Sequence, residues 1–165
     1  MKRLLLLRHG EAEPAGAAAG DFERPLTARG RAQALQAAHR LRQLHCTPDT
    51  ILASPALRTR ETATIVAARL EQLQALHYQS SAYPGSLEAL LQLIDAVSDQ
   101  SETLLLVGHN PGLSALARRL ALSASAGPTT AEPPELTTGG LCRIELSGAA
   151  WSSIDSGVTD VTLLS

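Results

Sequence analysis

Apolar and polar residues alternate along this chain in blocks that change period, and the blocks predict its elements. Residues 4–7 are four consecutive leucines, and 103–107 read Thr-Leu-Leu-Leu-Val. Short continuous apolar runs of this kind suit strands covered on both faces, so strands are expected over 3–8 and 103–107. Thr50-Ile51-Leu52-Ala53 predicts another, ended by Ser54-Pro55, and residues 76–80 a weaker one. Between these runs the period lengthens. Ala34, Ala37, Ala38 and Leu41 fall at helical spacing, and Thr27 is placed to cap a helix over 28–44. Ala63, Val66, Ala67 and Leu70 mark a second helix. Leu87, Leu90, Leu91 and Ile94 mark a third, capped by Ser86 after a Tyr83-Pro84-Gly85 turn. Leu113, Leu116, Ala117 and Leu120 mark a fourth. Residues 141–146 alternate as a half-exposed strand, and a final strand is expected near 158–163. Long loops are expected over 10–25 and 123–138, with the Ala- and Gly-rich stretch 15–20 mobile.

Strands alternating with helices predict an α/β fold, a three-layer αβα sandwich around a mainly parallel central sheet. The 165 residues fit a single domain over 1–165 with one core, without an internal repeat. Net charge is −2 and only four residues are Phe, Trp or Tyr, which argues against a nucleic-acid partner. No run reaches membrane-spanning length, and the apolar stretch at 4–7 is too short for a signal peptide. Cys46 and Cys142 are far apart and are expected to be buried thiols in a reducing compartment, so a cytoplasmic protein is the default.

The chemistry lies where the strands end. The first strand runs into Arg8-His9-Gly10 and the 103–107 strand into Gly108-His109-Asn110-Pro111-Gly112. The 50–53 strand leads to a helix carrying Arg58 in its first turn. Open α/β sheets bind ligands beyond the carboxyl ends of their strands, so these ends are expected to converge. Guanidinium forks match phosphate oxygens, and a neutral imidazole is a competent nucleophile. Backbone N–H groups near Asn110 add possible donors. The set suits phosphoryl transfer without a metal or other cofactor. His39, His45 and His77 show no ligand spacing and are expected at the surface or half-buried, and Arg60 and Arg69 are expected as solvated helix-face charges, with substrate docking the alternative role for Arg60. Trp151 is expected to pack.

Three motifs in order carry a resemblance. Arg8-His9-Gly10 after an aliphatic strand, the run from Ser54 to Ala63 (SPALRTRETA), and Gly108-His109-Asn110-Pro111-Gly112 resemble the signatures of the histidine phosphatase superfamily, which includes the phosphoglycerate mutases. The short length, Glu11-Ala12, and Arg24-Pro25-Leu26-Thr27 followed by Gly30 are similar to its small SixA-like branch. The resemblance implies a phosphoglycerate mutase-like fold and a phosphatase that works through a phosphohistidine intermediate. It makes His9 the nucleophile, Arg8 and Arg58 holders of the phosphoryl group, and His109 a donor to a phosphoryl oxygen. Arg24 would lie beside the pocket, and Asn110 joins the substrate-binding candidates. The glutamate that many members carry after the third strand has no counterpart in Ser81-Ala82-Tyr83-Pro84-Gly85. Glu88, Asp21, Glu11 and Glu13 are the available carboxyls, and an absent acid would suit a phosphoramidate. The implied substrate is a phosphorylated protein, phosphohistidine foremost. The alternatives are a small phosphorylated metabolite and a phosphate-binding module without turnover.

Overall fold

In a computed structural model, which describes residues 1–16, 20–124 and 135–164, six strands form one sheet. They are β1 (Lys2–Arg8), β2 (Thr50–Ala53), β3 (Leu76–Tyr78), β4 (Thr103–Gly108), β5 (Leu141–Leu146) and β6 (Val158–Leu163), ordered β3-β2-β4-β1-β5-β6. The first four strands in that order run parallel, and β5 and β6 are antiparallel additions at one side. The helices are α1 (Ala28–Gln43), α2 (Leu57–Arg69), α3 (Leu87–Asp95), α4 (Gly112–Ser123) and the four-residue α5 (Ile154–Gly157).

The leucine runs are continuous because the sheet is covered twice. Leu5 and Leu7 face α1 and α2, packing with Ala34, Ala38, Leu41, Ala63 and Val66. Leu4 and Leu6 face the opposite layer, with Leu90, Ile94, Leu113, Leu116 and Trp151. All four leucines are fully buried, so truncating any one of them to alanine would cost about 2–5 kcal/mol. The three-layer sandwich is thus an outcome of period-two alternation within a run that contains no polar residue.

Two helix starts follow the sequence signals. Thr27 Oγ1 accepts from the Gly30 N–H at 3.0 Å, and Ser86 Oγ from the Ala89 N–H at 3.2 Å. α2 has no side-chain cap. Its Leu57 N–H donates instead to the Phe22 carbonyl at 2.9 Å, which ties the first long loop to that helix end. The base of the same loop is pinched by a bridge between Ala12 and Leu26 and by Glu13 N–H donating to Pro25 O at 2.8 Å. The expected mobility of 15–20 falls partly on 17–19, and most of the 123–138 loop falls on 125–134; both lie outside the described residues. Trp151 is fully buried, with its indole N–H on the Ser101 carbonyl at 3.0 Å. The turn and short helix around it carry no periodic pattern and are not legible beforehand. Among the described residues, no helix is long and apolar enough to cross a membrane.

Candidate active site

Strand register sets the geometry. β1 and β4 are adjacent and parallel, with Arg8 opposite Gly108, and the His9 N–H donates to the Gly108 carbonyl at 3.1 Å. His9 and His109 therefore leave neighbouring strands at one level, and their rings stand 5.2 Å apart, tilted by 57°. On the other side of β4, the Ser54 N–H donates to the Val107 carbonyl at 3.2 Å, and α2 then begins. Its first turn brings Arg58 beside the histidines. His9, His109 and Arg58 are all buried, and Arg8 is half-buried. The convergence expected at the strand ends is present.

The hydrogen bonds divide the two imidazoles' roles. His9 Nδ1 lies 2.7 Å from the Gly10 carbonyl, which can only accept, so Nδ1 carries the proton and Nε2 carries the lone pair. His109 Nε2 is 2.7 Å from Ser54 Oγ, while its Nδ1 is buried with no hydrogen-bond partner among the described residues. Burial, followed by the Arg58 and Arg8 charges, pushes the His9 pKa down to about 4, against the partial opposition of the Gly10 bond. Burial, Arg58 and His9 push His109 to about 3. Both rings are neutral at pH 7.

The cations are held by their surroundings. Arg58 Nη1 donates to the Asp21 carbonyl at 2.8 Å, and Nη2 to the Asp21 carboxylate at 3.1 Å. Asp21 also accepts from the Tyr83 hydroxyl at 2.7 Å and from Arg24 Nη1 at 2.9 Å. These partners, Tyr83 first, hold its carboxyl well below the usual range. Arg8 Nη1 donates to the Leu136 carbonyl at 3.1 Å. The Nε atoms of Arg8 and Arg58 are buried and unpartnered among the described residues. Two guanidiniums with spare donors and two neutral imidazoles form a site for a multiply charged oxyanion. Among the described residues no group of three or more His, Cys, Asp or Glu is arranged to hold a metal ion.

The remaining candidates are more dispersed. Arg24 bonds to Asp21 and to the Glu13 carbonyl, so it meets the site through Asp21. The Asn110 side chain is committed at both ends, donating to Leu136 O at 2.8 Å and accepting from Ser114 Oγ at 2.8 Å and from its N–H at 3.2 Å. The Leu113 N–H is likewise used, on the His109 carbonyl at 3.0 Å. Glu88 and Glu13 are exposed, and Glu11 pairs with Arg29 at 3.4 Å. His39, His45 and His77 are exposed.

Three functional neighbours escape a reading of the sequence: Ser54, Thr62 and Tyr83. Thr62 Oγ1 accepts from the Gly10 N–H at 3.1 Å and donates to the Arg58 carbonyl at 2.7 Å, linking the two motif turns. Its spacing one helical turn after Arg58 is the one available signal. Gly10 is glycine because a Cβ would stand 2.3 Å from the Gly30 carbonyl oxygen, and Gly30 because its own would stand 2.0 Å from Glu11 O. Two backbones meet there, so the end of β1 is clamped against α1.

Comparison with known proteins agrees with this geometry. A profile of the histidine phosphatase superfamily (branch 1) matches residues 4–79. An uncharacterised protein of Picosynechococcus sp. is 38% identical over 119 residues, covering 72% of each chain. A structure from Agrobacterium tumefaciens, described as a candidate phosphohistidine phosphatase SixA, is 30% identical with a TM-score of 0.75, covering 87% of this chain and 91% of that one. Another candidate phosphohistidine phosphatase SixA, from Nakamurella multipartitia, is 26% identical with a TM-score of 0.81, covering 98% of this chain and 95% of that one. The chain belongs to the histidine phosphatase superfamily and is SixA-like. It is accordingly a hydrolase of the phosphatase class with the phosphoglycerate mutase-like fold.

Proposed function

We propose that the chain removes phosphoryl groups through a covalent intermediate on His9. The carrying observation is the Nδ1 bond to the Gly10 carbonyl, which leaves Nε2 as the nucleophilic atom of a neutral ring. Nε2 attacks phosphorus in line with the leaving group. The P–Nε2 bond forms as the bond to the leaving group breaks, and the departing atom keeps the electron pair. Arg8 and Arg58 neutralise the equatorial oxygens, Arg58 exchanging its Asp21 contacts for the phosphoryl group. We assign the free proton of His109 to Nδ1, with Ser54 donating to Nε2, so that Nδ1–H donates to a phosphoryl oxygen. Water then attacks the phosphohistidine and releases orthophosphate. Arg24 acts by orienting Asp21, and Asn110 by fixing the Leu136 carbonyl that holds Arg8.

The substrate favoured is a phosphoprotein carrying phosphohistidine. Support comes from the likeness to proteins described as candidate phosphohistidine phosphatases and from the described residues, among which the one carboxyl seen bonded to Arg58, Asp21, is held ionised rather than poised as an acid. A protonated imidazole is a good leaving group, and it takes its proton from solvent at the mouth. We place the enzyme in the cytoplasm, in keeping with two buried free cysteines. The test is turnover of a phosphohistidine protein against a panel of phosphorylated metabolites. Higher kcat/KM on the protein supports the reading. Higher kcat/KM on a metabolite replaces it with a metabolite phosphatase.

A further inference from the structure

Half of the chain's four aromatic residues stand at the mouth of this one site, and the reaction chemistry above uses neither ring. Tyr83 packs edge-on against His109 with centroids 5.4 Å apart, and the Arg58 guanidinium lies 5.9 Å from the same ring's centroid. Phe22 packs at right angles on Tyr83, 5.0 Å away, and is 37% exposed. An exposed phenylalanine on a loop is ordinarily free to turn. This one is held by its edge contact with the Tyr83 ring and, through its backbone, by the Phe22 carbonyl accepting from Leu57 N–H at 2.9 Å. The Tyr83 hydroxyl is fixed on Asp21 at 2.7 Å. An uncovered aromatic surface is therefore preorganised next to Arg58 and His109, two of the side chains that would contact the phosphoryl group.

We infer that Phe22 and Tyr83 form a stacking wall that selects substrates whose leaving group is a planar aromatic or heteroaromatic ring. This rests on the phosphatase reading of His9 and sharpens its substrate class. An imidazole or a phenol bonded to phosphorus presents a flat face to the wall, whereas an alkyl chain offers no comparable stack. Selectivity thus comes from the loops that precede α1 and α3, separately from phosphate recognition by Arg8 and Arg58.

The test pairs substrates that differ in the leaving group. N-phosphoimidazole is compared with an N-phosphoalkylamine, and an aryl phosphate with an alkyl phosphate. The variants are Phe22→Leu and Phe22→Trp, and the readout is each variant's planar-to-alkyl ratio of kcat/KM. The ratio is expected to fall about fivefold to tenfold in Phe22→Leu and to return in Phe22→Trp. A ratio equal to wild type in Phe22→Leu overturns the wall. Labelling of His9 separates the two layers of the argument. An unchanged ratio with His9 still phosphorylated removes the wall alone. A lowered ratio with no His9 phosphoenzyme in wild type keeps the wall and removes the nucleophile.

Discussion

Acidification tests the electrostatics of the site independently of any substrate. His9 is held neutral by burial with a pKa of about 4, against about 6.5 in an unfolded chain. Between those values the unfolded state binds the proton and the folded state does not. Stability therefore falls as pH drops from 6.5 towards 4, and is regained as pH rises. Integrating from pH 7 to pH 5 gives a loss of about 2 kcal/mol from this one ring. His109, at about 3, adds a comparable amount. The clean perturbation is His9→Asn, because the amide N–H₂ can still donate to the Gly10 carbonyl where Nδ1 does at 2.7 Å, yet does not titrate. Urea unfolding at pH 7, 6 and 5 and constant ionic strength measures the difference. Every other titrating group contributes to both proteins and largely cancels. Wild type should lose about 2 kcal/mol more than His9→Asn over that range. Identical pH slopes would show that the folded protein does not hold His9 neutral, and the case for a free-base nucleophile at low pH would fail with it.

Other substitutions test the packing and the second partners. Ser54→Ala leaves His109 Nε2 buried without its 2.7 Å partner, which should cost about 1–3 kcal/mol of stability; kcat should fall with the melting temperature, and an unaltered kcat would refute the tautomer assignment. Gly30→Ala places a Cβ 2.0 Å from the Glu11 carbonyl oxygen. Moving β1 away from α1 should cost roughly 1–3 kcal/mol, and a variant as stable as wild type to heat would mean that the clamp is loose. Arg58→Lys keeps the charge and loses the planar fork that now spans two Asp21 acceptors. Its kcat/KM should drop on the order of a hundredfold, and a change under threefold would demote Arg58 from phosphoryl holder to loop anchor.

What was readable beforehand, and what was not, follows from the range of the forces involved. The strands at 3–8 and 103–107 and the four amphipathic helices were legible because burial on one or two faces imposes a local period. The histidines and Arg58 were legible because they follow apolar runs whose ends must share one rim. Partners were another matter. Ser54 meets His109 only through the β2–β4 register, and Thr62 meets Gly10 only because α2 docks beside β1. Asn110 looked like a substrate contact because it sits in a motif, and only the fold shows both ends of its amide bound internally. Gly10 stands in the first motif, but only the fold shows that its N–H is taken by Thr62 and that its missing Cβ makes room for Gly30. Asp21, one carboxylate among several in the sequence, becomes the hub joining Arg24, Arg58 and Tyr83.

The central claim is the bond between phosphorus and His9. Rapid quenching of the enzyme with a ³²P-labelled aryl phosphate, followed by peptide mapping, reads that bond directly. Wild type should carry label on the peptide holding His9, stable in base and lost in acid, and His9→Ala should carry none. Equal labelling of His9→Ala, or label that survives acid, would contradict the account.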